Sequence, residues 1–276
     1  MVFPYASIPV EKWADKTKEL IEEHPLKPNV LREVALKSWQ LLWQTKIGEE
    51  DTYLSLAEID PPAIMVGYFF EKLFAKELQK RYPEEWRGTQ CKDEKDIVYL
   101  KDTRYSIEIK TSGQLGTKIF GNRSYGQKAK DENNEELAKK EKSGYYITAN
   151  FYQQSLTLLR FGWIDHEDWN AQKSATGQAS GLDQKVYEHK LFTISGEYIL
   201  DSPVNLLCKV GDVIANEMNK EGIKIIQELS DYQGNNQTVK KAKVQEKYHN
   251  ILKLNSGIEK FALGKNIINS VWWWLT

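Results

Sequence analysis

The stretch SIEIKTSG, Ser106 to Gly113, sets a glutamate and a lysine two positions apart inside an apolar run. Side chains alternate faces along a β-strand. Tyr105, Ile107 and Ile109 therefore share one face, and Arg104, Ser106, Glu108 and Lys110 share the other. One reading is a half-buried strand with its polar face in water, a common pattern in antiparallel sheets. The other reading points Glu108 and Lys110 into one catalytic pocket. The surrounding sequence has to decide between them.

Just upstream, DIVYL (Asp96–Leu100) reads as a strand, and the polar KDTR between the two runs reads as a turn, so a hairpin is expected. Downstream, YYITANFY (Tyr145–Tyr152) and LTLLRFGWI (Leu156–Ile164) read as two more strands closed by QQS. The second is apolar on both faces around Leu158–Phe161, as a central strand is. Three helices are expected before the hairpin. The first is Val10–His24, stopped by Pro25 and Pro28. The second is Asn29–Trp43, with Leu31, Val34, Leu41 and Leu42 at roughly helical spacing. The third opens at Asp60-Pro61-Pro62, with Asp60 as N-cap and Pro61 in the first turn, and runs through GYFFEKLFAKELQKRY to Pro83. The lysine-rich stretch Gln127–Lys142 also reads as helical.

Beyond Ile164 the pattern weakens. Asp165–Lys185 is polar and glycine-containing and reads as loop. VYEHKLFTI, EYIL and VNLLCKV read as short strands, Val210–Leu229 as a helix with an internal Gly222, and YQGNNQTVKKAKVQ as a loop or arm. No repeat or composition break divides the chain, so a single domain over residues 1–276 is expected.

The 276 residues are 41% hydrophobic and 28% charged, a globular balance that excludes a disordered chain. Basic residues number 38 and acidic ones 39, so the total charge carries no nucleic-acid signal and only local patches can. Two cysteines, Cys91 and Cys208, argue against a disulfide framework and suit a reducing cytoplasm. The N-terminal MVFPYASIPVEKW lacks the basic-then-apolar order of a signal peptide. No stretch approaches the roughly 20 apolar residues of a membrane span, so no membrane partner is expected. His24, His166, His189 and His249 lie far apart, and none has zinc-type spacing with a cysteine. The C-terminal VWWWLT, with Trp272–Trp274, is expected to plug the core or a subunit interface, since exposed it would be a large sticky patch.

Acids placed on this framework are informative. Asp96 opens one strand, Glu108 sits on the next, and Lys110 follows two positions later. Adjacent strands lie about 4.8 Å apart, so a hairpin brings the Asp96 end near Glu108. Carboxylates that close repel unless a cation sits between them. Hard oxygen ligands without histidine or thiolate favour Mg²⁺. A magnesium ion beside a lysine suits phosphodiester hydrolysis: the metal polarises the phosphoryl oxygen and acidifies a water, and the lysine orients that water or stabilises the oxyanion.

The series Asp96…Glu108-Ile109-Lys110 resembles the signature of the PD-(D/E)XK nuclease superfamily. The resemblance implies an α/β fold, a central mixed β-sheet flanked by helices with an αβββαβ core and added helices and loops. It implies that Asp96 and Glu108 bind Mg²⁺, with Ile109 in the metal set, and that Lys110 assists hydrolysis. Lys95 stands where the signature has proline, so Asp93 and Asp102 stay open as alternatives to Asp96. Glu71, in GYFFE, is similar to the acid that many members carry on the helix before the first core strand. Gly67 and Ala75 flank it by a turn on each side and leave space for another element. With the aromatic-rich RFGWID (Arg160–Asp165), the chain resembles type II restriction endonucleases of the group typified by ScaI. That implies cleavage of double-stranded DNA at a specific, palindromic site by a homodimer. It also implies a catalytic core over about residues 60–165, flanks 1–59 and 166–276 for DNA recognition and dimer contacts, and a cognate methyltransferase encoded nearby.

Duplex binding needs cations against phosphate. Lys118, Arg123, Lys128 and Lys130 follow the catalytic strand, and Lys240, Lys241, Lys243 and Lys247 form a second group. Lys139, Lys140 and Lys142, interspersed with Glu135, Glu136 and Glu141, read as a solvated helix face. Base readout uses Arg, Asn and Gln. The loop FGNRSYGQ offers Asn122, Arg123, Ser124 and Gln127, and NAQKSATGQASG offers Gln172, Lys173, Ser174 and Gln178. Two other functions fit the same sequence. One is a repair or junction-resolving nuclease with the same chemistry. The other is a non-catalytic assembly module docked through the Trp-rich C-terminus.

Overall fold

The computed structural model describes residues 3–122, 125, 142–171, 179–207 and 210–241. In chain order its helices and strands are α1 (Trp13–Glu23), α2 (Pro28–Gln44), β1 (Lys46–Ile47), β2 (Leu54–Ser55), α3 (Leu56–Ile59) and α4 (Ala63–Arg81). Then follow β3 (Trp86–Gly88), β4 (Ile97–Tyr99), β5 (Ile107–Ser112), β6 (Gly121–Asn122), β7 (Gly144–Tyr152) and β8 (Ser155–Ile164). The last are β9 (Trp169–Ala171), β10 (Ala179–Leu182), α5 (Gln184–His189), β11 (Leu191–Thr193), α6 (Asp212–Lys220) and α7 (Ile226–Asp231).

A six-stranded mixed sheet lies at the centre, in the order β3-β4-β5-β7-β8-β11. Only β5 and β7 run parallel; the other neighbours are antiparallel. The order α4, β3, β4, β5, β7 agrees with the expected core, a mixed sheet flanked by helices. Strands β7 and β8 are buried almost throughout, as central strands covered on both faces must be.

One sheet face carries Ile97, Ile107, Ile109, Tyr145, Ile147, Ala149, Phe151, Leu159 and Phe161. These join Leu31, Val34, Leu42, Phe70, Phe74 and Leu78 of α2 and α4 in the main hydrophobic core. Helix α4 comes closest at its small residues. A Cβ on Gly67 would stand 2.2 Å from Thr111 Oγ1, and a Cβ on Gly88 would stand 3.2 Å from that of Ala75. The small residues around Glu71 thus let β5 and β3 pack directly against the helix. The opposite face is covered by a second cluster of Ile119, Tyr125, Tyr146, Ile164, Trp169, Tyr187 and Leu191.

His24, fully buried after α1, ties that helix to the entrance of β5. Its Nδ1 accepts from the Leu26 N–H, so Nε2 carries the proton and donates to Tyr105 O at 3.0 Å. The rings of Tyr105, Tyr145 and Phe161 surround it. Burial lowers its pKa to about 4, so the native state keeps the ring neutral. The unfolded chain binds the proton near pH 6.5. The contribution is therefore complete above that pH and is lost as pH falls from about 6.5 to 4, by about 3 kcal/mol. Urea midpoints measured across this range should fall steeply for the wild type and more shallowly for His24→Gln.

Several local expectations need correction. Strand β3 was not expected; its three residues exist as a strand through pairing with β4. Tyr105 closes a 3-10 turn, Thr103–Tyr105, and the strand starts at Ile107. Helix α4 starts at Ala63 after Pro62, while Asp60, with φ of 51°, closes α3 instead of capping α4. VYEHKLFTI is helix α5 followed by β11, because only Leu191–Thr193 lies along the β8 edge. EYIL and the start of VNLLCKV are 3-10 turns that bury Ile199, Val204 and Leu206 without a ladder partner. The expected helix Val210–Leu229 breaks into α6 and α7 around Gly222, whose φ of +80° suits glycine. The expected loop Asp165–Lys185 contains β9 and β10. The expected helix 127–142, apart from Lys142, and Trp272–Trp274 lie outside the described residues.

Candidate active site

The register Ile97↔Ile107 puts Asp96 and Glu108 on the next antiparallel rung, side by side on the face away from α4. Strand β4 ends there, so the Ile109 N–H has passed the ladder and donates to Asp96 Oδ2 at 2.8 Å. In an extended strand the C=O of a residue points to the same edge as its N–H. The Ile109 carbonyl therefore faces the Asp96 side. Asp96 is 9% exposed and Glu108 2%. Lys110 Nζ donates to Glu108 Oε1 at 2.6 Å, and its side chain, 18% exposed, forms the mouth of the site. Burial works against the ammonium, but Glu108, Tyr125 and Asp96 outweigh it and raise the Lys110 pKa. Lys110 stays charged at neutral pH.

Asp96, Glu108, Ile109 and Lys110 are thus brought together. The alternatives to Asp96 lie elsewhere: Asp102 is paired with Arg104, and Asp93 is exposed before β4. Lys95 reaches across to Ser143 O at 3.0 Å, at the entrance of β7. Glu71 sits on α4 and pairs with Lys72 at 2.6 Å. Lys72 in turn has its pKa raised, first by Glu71 and to a lesser degree by Asp96. Among the described residues, no three acidic, histidine or cysteine side chains converge. The convergent donors are two carboxylates and a main-chain oxygen.

Sequence reasoning missed Lys72 and Tyr125. The Tyr125 hydroxyl donates to Glu108 Oε1 at 2.9 Å, and its ring centroid lies 5.0 Å from Lys110 Nζ. FGNRSYGQ contains this residue, but its polar neighbours carried the only readable signal.

The segment leading from β5 to Tyr125 is held by buried polar side chains. Arg160, fully buried on β8, stands opposite Thr148 of β7, which pairs with Lys110. Its guanidinium donates to Thr148 Oγ1 at 3.1 Å, Asn150 Oδ1 at 2.6 Å and Thr117 O at 2.5 Å. Asn150 Nδ2 donates to Lys118 O at 2.9 Å, and the Ile119 N–H donates to Tyr187 Oη at 3.0 Å. Three consecutive residues are clamped. Burial pulls the Arg160 pKa down to about 10, which leaves it charged.

Asn122, exposed, ends β6 and pairs with Ala179 of β10, while Ala171 ends β9 and pairs with Ser180. The segments that begin after Asn122 and after Ala171 therefore leave one end of this three-stranded sheet. Arg123, Ser124, Gln127, Gln172, Lys173, Ser174 and Gln178 lie on those segments, outside the described residues. Lys118, Lys240 and Lys241 are exposed.

Residues 3–195 match the model of the ScaI restriction endonuclease family. The chain belongs to that family. It is 36% identical over 199 residues to the type II restriction enzyme ScaI of Streptomyces caespitosus, an alignment spanning 69% of this chain and 84% of that enzyme. No solved structure matches. As a ScaI-family member the chain is a type II restriction endonuclease. The family match takes in Glu71, Asp96, Glu108, Lys110 and Tyr125 and ends two residues after β11. Helices α6 and α7 lie beyond the match, yet Ala215, Met218, Ile226 and Leu229 join the main core. No helix among the described residues is long and apolar enough to cross a membrane.

Proposed function

We propose that this ScaI-family chain is a Mg²⁺-dependent endonuclease that hydrolyses phosphodiester bonds of duplex DNA at one specific, palindromic site. It acts as a homodimer with one active site per strand. The observation that carries this reading is the rung that sets Asp96 beside Glu108, with the Lys110 ammonium 2.6 Å from Glu108.

Asp96, Glu108 and the Ile109 carbonyl hold the metal in this reading. All are hard oxygen donors and two are anionic, which suits a magnesium ion. When bound, the ion supplies Lewis acidity toward a phosphoryl oxygen and acidifies a water. Lys110 stands 2.6 Å from Glu108, beside the proposed ion. It supplies positive charge to the phosphoryl group and orients water. Glu71 acts at one remove as an outer acid, through Lys72.

Asn122, Arg123, Ser124 and Gln127 on one segment, and Gln172, Lys173, Ser174 and Gln178 on another, contact the DNA. Their origin at one end of the three-stranded sheet supports a shared role. The catalytic core spans about residues 60–165 of a single domain, with flanks for recognition and dimer contacts. The enzyme works in the cytoplasm, alongside a cognate methyltransferase encoded nearby.

Long duplex DNA incubated with the purified protein tests the reading. Discrete fragments with mapped, identical ends are expected with Mg²⁺ and none with EDTA. Cutting confined to branched or mismatched DNA, or equal cutting in EDTA, would refute it.

A further inference from the structure

The segment 113–125 leaves the catalytic strand directly after Lys110-Thr111-Ser112 and returns to it at Tyr125. Its middle is clamped at Thr117, Lys118 and Ile119. Its far end is buried: Tyr125 packs edge-on to Trp169 with centroids 5.0 Å apart, inside the second hydrophobic cluster. A phenylalanine would fill that cluster equally well. The hydroxyl does something a core ring does not: it donates to Glu108 Oε1, the same oxygen that receives Lys110 Nζ. The ring also lies 5.0 Å from that ammonium, within cation–π range.

Lys110 is a flexible four-carbon stem carrying a point charge. Its charge is useful only where it is held. Glu108 stands beside a second carboxylate, Asp96, and repulsion would push the two apart. A neutral donor on Glu108 and an aromatic face beside Lys110 restrain both groups at once. We propose that Tyr125 is a positioning residue for strand cleavage, holding Glu108 through its hydroxyl and Lys110 through its ring.

The inference rests on the site proposed above, so Lys110→Ala is measured beside Tyr125→Phe and Tyr125→Leu. Each full-length variant is assayed for thermal unfolding, for affinity to a cleavable duplex in EDTA, and for single-turnover cutting with Mg²⁺. Tyr125→Phe is expected to keep its melting temperature and its DNA affinity while cutting slows about tenfold, the loss of one hydrogen bond to a charged group. Tyr125→Leu, which removes the ring as well, is expected to cut more slowly still. Wild-type cutting by Tyr125→Phe beside an inactive Lys110→Ala would overturn the role of Tyr125 alone. An active Lys110→Ala would remove Lys110 from the proposed site and with it the role of the Tyr125 ring. A Tyr125→Leu that loses stability, affinity and rate together while Tyr125→Phe cuts like wild type would reduce the residue to core packing.

Discussion

Lys110→Ala should yield a folded protein that binds duplex DNA and hardly cuts it. The ammonium lies at the mouth of a site whose other groups, Asp96 and Glu108, are anionic and nearly buried. Any phosphate brought there meets repulsion unless cations offset it. Losing one preorganised charge of this kind costs about 10²- to 10³-fold in rate. The substitution removes no core side chain, and the Tyr125 hydroxyl continues to hold Glu108. Binding should persist, because the exposed Lys118, Lys240 and Lys241 are untouched by the substitution. Gel-shift and cleavage assays on one DNA separate the two effects. Lys110→Arg keeps the charge but carries a planar fork, so partial cutting is expected from it. Wild-type cutting by Lys110→Ala would remove Lys110 from the mechanism.

The largest effect on stability is expected at Lys190, which bonds to Asp165 and Asp168 and not to the proposed catalytic groups. Its ammonium, 3% exposed, donates to Asp165 Oδ2 at 2.8 Å and to Asp168 Oδ2 at 2.8 Å. It also sits over the rings of Tyr5 and Trp13, at 4.2 and 4.4 Å. The cluster joins the N-terminal segment to the ends of β8 and α5. Lys190→Met keeps most of the stem and strands two buried carboxylates together. Removing one partner from a buried ionic group costs about 3–5 kcal/mol. The pH dependence identifies the cause. Burial already raises the Asp168 pKa, with Lys190 opposing the rise. Without Lys190 the folded-state pKa of Asp168 climbs further above that of the unfolded chain. An acid whose folded pKa is raised binds more protons in the native state, so stability recovers as pH falls. The deficit in urea midpoint should therefore be largest near neutral pH and shrink toward pH 4. A deficit that does not change with pH would point to lost packing. DNA cutting per folded molecule should match wild type.

The candidate site was legible because a strand repeats every two residues. That period alone sets Glu108 and Lys110 on one face and Ile107 and Ile109 on the other, and the contacts agree: Ile107 and Ile109 join the main core while Lys110 bonds to Glu108. The spacing in Asn29–Trp43 marked α2 within a residue of each end. The doubly apolar Leu158–Phe161 marked β8 as central, and it lies between β7 and β11. Gly67 and Ala75 signalled a close approach to α4, which β5 and β3 supply.

Other features had no local signal. Trp86–Gly88 is too short for a period, and it is a strand only because β4 lies beside it. VYEHKLFTI carried apolar residues that suit strand or helix, and the available sheet edge decided where each began. Tyr125 reaches Glu108 only because Arg160, Asn150 and Tyr187, all distant in sequence, clamp the segment before it. Local periodicity states which face a side chain occupies, and the sequence by itself determined that much: an acid and a cation on one side of one strand, and the helices that bury its other side. Which strand lies alongside, and which loop folds back over the acids, depends on contacts between residues far apart in the chain, and only the tertiary structure decided those.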